Sequence, residues 1–202
     1  LVFSPRSIQS SQSFRDKIYS VDYTLVLAVL ILGIISIFAM YSTDGGSFNY
    51  HTKSHIVRFT IFFFLFLIFS LIQIRFWHDF SYVIYILFFL LLLGVKYFGL
   101  TSSGSQRWIN FYFMNLQPSE LMKIGLILFL AKYYHRIQAG DVNRLKHLFL
   151  PIIAVMGPVI LVVTQPDLGT SILIAVGGAI VAWLAGVRVK FFAYLTILFL
   201  SL

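Results

Sequence analysis

The sequence predicts an all-α fold, a polytopic bundle of transmembrane helices with six full spans and the start of a seventh. Of the 202 residues, 59% are hydrophobic and only 11% are charged, whereas about a quarter of a soluble domain is charged. Such a chain cannot cover its surface with polar groups, which excludes an ordinary soluble domain. The chain contains no cysteine, which also excludes a disulfide scaffold and a cysteine-ligated metal site.

Seven apolar stretches, separated by short polar segments, define the predicted spans. In chain order they are Tyr23–Tyr41, Phe59–Ile74, Phe80–Val95, Leu121–Ala131 with an extension to Tyr134, Leu148–Val163, Ser171–Val187, and Phe191 onward. The shorter stretches reach bilayer thickness if the flanking Arg58, Arg75 and Lys96 extend toward the headgroups.

The two ends of the chain carry separate expectations. Residues 1–20 are polar and contain no signal-peptide pattern, so we expect a disordered cytoplasmic tail preceding a membrane domain over 21–202. The last apolar stretch has 12 residues, whereas a span needs about 20. We therefore expect the chain to be the N-terminal part of a longer membrane protein.

The positions of lysine and arginine predict the orientation in the membrane. With the N-terminus inside, the cytoplasmic segments hold ten of these 15 residues, the outer segments hold four, and Lys123 lies within a span. The positive-inside rule then places the N-terminus in the cytoplasm and the loops 42–55, 96–117 and 164–170 outside. The net charge of +8 fits this asymmetry and anionic headgroups better than it fits nucleic acid, which we exclude as a partner.

The segment 104–123, GSQRWINFYFMNLQPSELMK, is the first with candidate functional residues. Its first half is rich in aromatic residues, as in an interfacial loop. Pro118 suits the first turn of the next helix, where Gln117 or Ser119 could act as the cap. Glu120 and Lys123 share one face of that helix, and ionisable groups at this depth mark functional sites unless they only bridge helices.

The second segment with candidate functional residues is Gln165-Pro166-Asp167-Leu168-Gly169-Thr170. Pro166 ends the preceding helix and Asp167 is a good N-cap for the following one. An N-cap needs no further function, but this turn lies on the same predicted side as Arg107. A pair between Asp167 and either Arg107 or Lys123 would assemble one outward-opening polar site.

Two further patterns are packing signals, and several functional motifs are absent. Pro151 and Pro158 are expected to kink the fifth span, and Gly178, Ala182 and Gly186 form a row of small residues that allows close helix packing. The five histidines do not have the spacing of metal ligands. No nucleophile elbow, phosphate-binding loop or dinucleotide-binding glycine pattern is present.

The order and separation of GSQRWI, LQPSELMKI and QPDLGT resemble the signature of the shape, elongation, division and sporulation (SEDS) family, over residues 22–202. Within that family, GSQRW and TQPDLGTS are most similar to the rod-shape branch, with the cell-division branch as the near alternative. The resemblance implies ten membrane helices in the bacterial inner membrane. It also implies a peptidoglycan glycosyltransferase that polymerises lipid II and acts in cell elongation.

The resemblance implies roles for the charged residues. Arg107 and Lys123 would be cations that face the pyrophosphate of lipid II or have a structural role, and Glu120 would orient Lys123. Expected partners are lipid II, a class B penicillin-binding protein transpeptidase and other membrane proteins of the elongation complex. No cofactor is identified, and a divalent cation is left open.

Other residues would shape the site. Trp108 and Gln117 would line the groove, and Asp167 would support its wall. The residues expected to have a structural role are Pro118, Ser119, Pro166 and Gly169.

One departure from the family pattern affects the expected activity. The family's catalytic aspartate lies in an outer loop after the seventh helix, beyond Leu202, so we expect no catalytic residue in this chain and no polymerase activity from it alone. Two alternatives remain: a flippase that moves lipid II across the membrane, and a non-catalytic scaffold of the elongation or division complex.

Overall fold

The computed structural model describes residues 18–19, 21–102, 105–111, 114–138 and 140–192. The described part contains long α-helices and one small antiparallel sheet, in two compact units divided after Gln73. The helical membrane fold predicted from the composition is therefore confirmed, whereas the sheet was not predicted.

The first unit contains helices α1 (Tyr23–Thr43) and α2 (Tyr50–Ser70). Asp22 caps the start of α1 by accepting hydrogen bonds from two backbone amides of its first turn. Gly33 is the buried residue of α1, and the ring of Phe59 on α2 occupies the space that a Cβ at position 33 would need. The two helices thus pack where one of them has no side chain.

The second unit contains the remaining described elements. They are α3 (Ile74–Phe98), β1 (Leu100–Ser102), β2 (Ser105–Phe111), β3 (Met114–Leu116), α4 (Pro118–His135), α5 (Leu145–Val163) and α6 (Leu168–Leu184). The helices pack around buried apolar side chains that include Leu92, Met122, Leu126 and Ile174. The strands β1, β2 and β3 form one antiparallel sheet in sequence order, at the end of the unit where α3 ends and α4 begins.

The two prolines of α5 are both buried, and each leaves one helix carbonyl without its usual amide donor. Pro158 frees the carbonyl of Ala154, which accepts a hydrogen bond from the Tyr85 hydroxyl at 2.8 Å. Pro151 frees the carbonyl of His147, which accepts one from the Tyr133 hydroxyl at 3.1 Å. Tyrosines of α3 and α4 therefore replace the missing donors of α5.

The first six predicted apolar stretches each lie within or overlap a helix of the structure, but their ends differ from the helix ends. Helix α2 begins at Tyr50, so Lys53 and Arg58 lie inside a helix that was predicted to start at Phe59. Hydropathy identifies only the apolar part of a helix, whereas the backbone hydrogen bonds of the helix can continue into the polar residues that precede or follow that part.

Four described helices, α1, α2, α3 and α5, are long and apolar enough to cross a membrane. Helix α6 is shorter, with 17 residues, and α4 includes Glu120, Lys123 and Lys132. Six full spans and a seventh therefore stay a prediction. The seventh stretch beyond residue 192, and residues 1–17 and 20 of the expected tail, lie outside the described residues.

Candidate functional site

Asp167 is the centre of a polar cluster at the sheet end of the second unit. It is the N-cap of α6, where Oδ1 accepts a hydrogen bond from the Thr170 amide and Oδ2 accepts one from the Thr170 hydroxyl. The predicted capping role is therefore confirmed. Asp167 is 9% exposed, so its charge needs strong partners.

Two side chains from other elements supply these partners. Arg107 Nη1 lies 3.4 Å from Asp167 Oδ2, and Gln117 Nε2 donates to the same oxygen at 3.1 Å. Of the two predicted pairings, the structure therefore shows Arg107 with Asp167. We call Arg107, Gln117, Asp167 and Thr170 the Asp167 cluster.

The local folding of residues 105–120 brings Arg107 and Gln117 to this cluster. Ile109 and Leu116 are paired in the β2–β3 register, so the chain that leaves Arg107 returns on the next strand to Gln117. Gln117 occupies the N-cap position of α4 but makes no side-chain cap bond. Its amide bonds to Asp167 instead, which was not predicted.

The first two turns of α4 carry a second ion pair. Lys123 Nζ lies 2.8 Å from Glu120 Oε2, and the side chains of Lys123 and Glu120 are 26% and 54% exposed. The predicted i,i+3 pair is present, with Lys123 the better protected partner. Pro118 stands in the first turn, as predicted, and Ser119 is 2% exposed.

The other candidate residues lie nearby without polar contacts to the cluster. Trp108 follows Arg107 on β2, so strand alternation directs its side chain to the opposite face. The backbone of Trp108 pairs with Leu100 on β1, and its side chain forms no hydrogen bond or ring contact with the described residues. Pro166 lies in the turn between α5 and α6, and Gly169 lies in the first turn of α6, with open space around its Cα.

Gln165 is a further residue of this end that the prediction missed. It is 5% exposed, and its Nε2 donates to the carbonyl of Leu92 in α3 at 3.3 Å. The sequence feature that could have drawn attention to Gln165 is its position next to Pro166 in the QPDLGT segment. The structure shows that its amide is buried, and a buried amide needs a hydrogen-bond partner. Gln165 therefore ties the turn that carries Asp167 to α3.

The cations Arg107 and Lys123 are each paired with a carboxylate, Arg107 with Asp167 and Lys123 with Glu120. In the described ranges, no group of three or more histidine, aspartate or glutamate side chains could hold a metal ion. The arrangement presents two oriented, partly exposed cations that suit an anionic group such as a phosphate.

The fold and this site define a helical membrane protein with a polar cluster at one end. The chain belongs to the family of cell cycle proteins that comprises FtsW, RodA and SpoVE, whose model matches residues 17–202. The SEDS resemblance of the three motifs is therefore confirmed.

Relatives from both branches of the family are similar to the chain. The peptidoglycan glycosyltransferase MrdB of Escherichia coli is 30% identical over 177 residues, which is 88% of this chain and 47% of MrdB. The probable peptidoglycan glycosyltransferase FtsW of Buchnera aphidicola subsp. Acyrthosiphon pisum is 30% identical, over 98% of this chain and 52% of that protein. The chain thus spans about half the length of the curated relatives it matches.

Solved structures show the same fold. The rod shape-determining protein RodA of Thermus thermophilus has a TM-score of 0.73 and 25% identity, over 88% of this chain and 60% of RodA. A chain from a study of polymerization and crosslinking by a peptidoglycan synthase complex has a TM-score of 0.76 and 24% identity, over 90% of this chain and 52% of its own length.

Proposed function

We propose that this chain forms the lipid II-binding part of a peptidoglycan glycosyltransferase of the elongation machinery. The observation that carries the proposal is the Arg107–Asp167 contact, which holds a partly exposed cation at one end of the helices. Lipid II is a lipid-linked pyrophosphate, and its transfer requires positive charge that stabilises the departing pyrophosphate. The names of the relatives MrdB and FtsW support this activity.

In this proposal the residues have distinct roles. Arg107 and Lys123 contact the phosphates, while Asp167 and Glu120 hold them in place before the substrate arrives. Because a fixed guanidinium loses little side-chain freedom on binding, the Asp167 cluster binds more tightly than a mobile arginine would. Because the Trp108 side chain lies on the opposite face of β2 from Arg107, we assign it no contact with the phosphates.

The distribution of buried polar residues favours the enzyme over the flippase. A flippase needs polar groups along the whole depth of the bundle, whereas a polymerase needs them at one end. Among the described residues of the second unit, Ser119, Gln165, Asp167, Thr170 and Ser171 are buried near the sheet end, and Ser81 and Lys132 are buried near the opposite end. The layer between these two groups includes Leu126, Ala154 and Ile174 and is apolar, so no continuous polar path crosses the unit.

The test is the affinity of the purified chain for fluorescent lipid II. Arg107→Gln is expected to weaken binding roughly 10- to 100-fold, because it removes a charge-assisted hydrogen bond to phosphate. The matched control is Arg144→Gln, since Arg144 pairs with Asp141 at 3.0 Å but lies at the opposite end. Equal affinities of the two variants would refute the proposed site.

A second test separates the enzyme from the scaffold. Lys123→Gln, placed in a full-length family member that carries this region, is expected to abolish support of cell shape. Full complementation with normal protein levels would leave only the scaffold function. The class B penicillin-binding protein partner is a proposal that the synthase-complex neighbour supports.

A further inference from the structure

A basic and aromatic cluster lies at the end of the second unit opposite the sheet. Lys132, in the last turns of α4, is only 6% exposed, and its Nζ donates to the backbone carbonyl of Asp79 at 2.7 Å. The ammonium also lies 4.7 Å from the centroid of the Tyr82 ring. Among the residues that the structure describes, Lys132 forms no ion pair. A buried ammonium without a counter-charge is costly, so the site favours an anion.

A second cation increases the local positive charge. The guanidinium carbon of Arg136 lies 5.6 Å from the same Tyr82 ring, and Arg136 follows Lys132 by one helix turn. Like charges at this spacing repel each other. The carboxylate of Asp79, the residue whose carbonyl accepts from Lys132, is shared between Arg75 at 3.8 Å and His78 at 3.3 Å.

Two histidines complete the cluster across the α3–α4 contact. The rings of His78 and His135 lie 5.5 Å apart, edge to face. The Nε2 atom of His78 is buried and has no hydrogen-bond partner within the described part of the chain. Because buried polar atoms are nearly always hydrogen-bonded, this atom indicates a missing partner.

We propose that Lys132, Arg136, His78 and His135 bind the phosphate group of an anionic phospholipid. The cluster lies at the start of α3, a helix able to cross a membrane, and therefore at the depth of the headgroups. Basic pockets between transmembrane helices bind such headgroups on the cytoplasmic side, where the charge count places this end. His135 and Arg136 are exposed, which leaves the phosphate a route to the buried Lys132.

Complementation of the helix dipole alone would be a purely structural role for these side chains. It accounts for Lys132 and His135, which stand in the last turn of α4. It does not account for the unpartnered His78 atom on α3. The site is separate from the Asp167 cluster, so it does not depend on the function proposed above.

The experiment measures binding of phosphatidylglycerol to the full chain in a neutral detergent, by native mass spectrometry and by the shift in Tm. Arg136→Gln is expected to weaken binding about tenfold, and Lys132→Met more strongly. The matched control is Lys146→Gln, an exposed lysine at the same end, which is expected to bind as the unmodified chain does. Arg136→Gln changes an exposed side chain, so it tests the site even if Lys132→Met fails to fold.

Two comparisons identify the ligand. Phosphatidylcholine and inorganic phosphate are each expected to bind at least tenfold more weakly than phosphatidylglycerol. Unchanged phosphatidylglycerol binding in Arg136→Gln would overturn the site. Inorganic phosphate that competes at the affinity of the lipid would overturn the lipid assignment.

Discussion

At the residue scale, Asp44 shows how one side chain can make the stability of a helix pair depend on pH. Asp44 follows α1, and its Oδ2 accepts hydrogen bonds from the hydroxyl and the amide of Thr52, at 2.6 and 2.8 Å. These bonds, the hydroxyl first, lower the pKa of Asp44 below its ordinary value of 3.8. Since the folded pKa is the lower one, the stabilisation is complete above about pH 4 and is lost as the pH falls through the folded value.

We expect Thr52→Ala to move the pKa of Asp44 back toward 3.8, because it removes the largest contribution and leaves the amide bond. The measurement is a pH titration of the Asp44 carboxyl by carbon-detected NMR. The control is Thr43→Ala, since the Thr43 hydroxyl bonds to the Met40 carbonyl and not to Asp44. The same Asp44 pKa in both variants would show that the hydroxyl bond is not responsible.

Tyr85 carries the second prediction at this scale. Tyr85→Phe leaves the Ala154 carbonyl without a donor, because Pro158 cannot supply one. The expected loss in the free energy of unfolding is about 1–2 kcal/mol, within the range for hydrogen bonds between membrane helices. Unfolding in an SDS titration measures it, with the exposed Tyr97→Phe as the control.

A double variant tests the stated cause. Combining Tyr85→Phe with Pro158→Ala restores an amide donor at position 158, so the tyrosine substitution should then cost less. An undiminished loss in that background would mean that the hydroxyl acts through some contact other than the freed carbonyl.

At the element scale, the packing of α6 depends on one position. Gly178 is buried, and a Cβ built on it would lie 2.5 Å from Val155 on α5. The predicted row of small residues is thus correct for Gly178 and Ala182, which are both buried. Gly186 lies beyond the end of α6, where its carbonyl accepts a hydrogen bond from Asn143.

We expect Gly178→Val to lower the free energy of unfolding by about 1–3 kcal/mol, because the added atoms force α6 away from α5. Gly177→Val is the matched control, since no atom lies within 4 Å of a Cβ at Gly177. Both variants place the same β-branched residue in the same helix, so only the difference between them reports packing. SDS unfolding curves that coincide for the two variants would contradict the close contact.

The element scale also shows what the sequence could and could not predict. Apolar runs indicated the helices because lipid requires them, and Pro118 and Asp167 marked two helix starts correctly. The β1–β2–β3 sheet was missed because its strands are short and lie outside the apolar runs. The Gln117–Asp167 bond joins residues 50 positions apart, a separation that no local pattern encodes.

At the scale of the whole molecule, the motifs identified the family more directly than the composition did. Composition predicted a membrane protein, and the order of three polar motifs predicted the SEDS family that the comparisons show. Arg107 lies in the loop 96–117 and Asp167 in the loop 164–170, and both loops are predicted to lie outside. The contact between the two residues puts these loops at the same end of the second unit, in agreement with that prediction. The absolute orientation rests on the lysine and arginine count.

That orientation can be tested by labelling single introduced cysteines. The sequence contains no cysteine of its own that would also be labelled. Single cysteines at Ser47 and Asn115 occupy exposed positions predicted to lie outside, and one at Gln138 occupies an exposed position predicted to lie inside. In intact spheroplasts we expect a membrane-impermeant maleimide to label the first two and to label Gln138→Cys only after permeabilisation. The reverse pattern would place Lys132 and Arg136 outside, against the positive-inside rule. It would also put the Asp167 cluster on the cytoplasmic side, where it could not serve a polymerase that acts on the outer face.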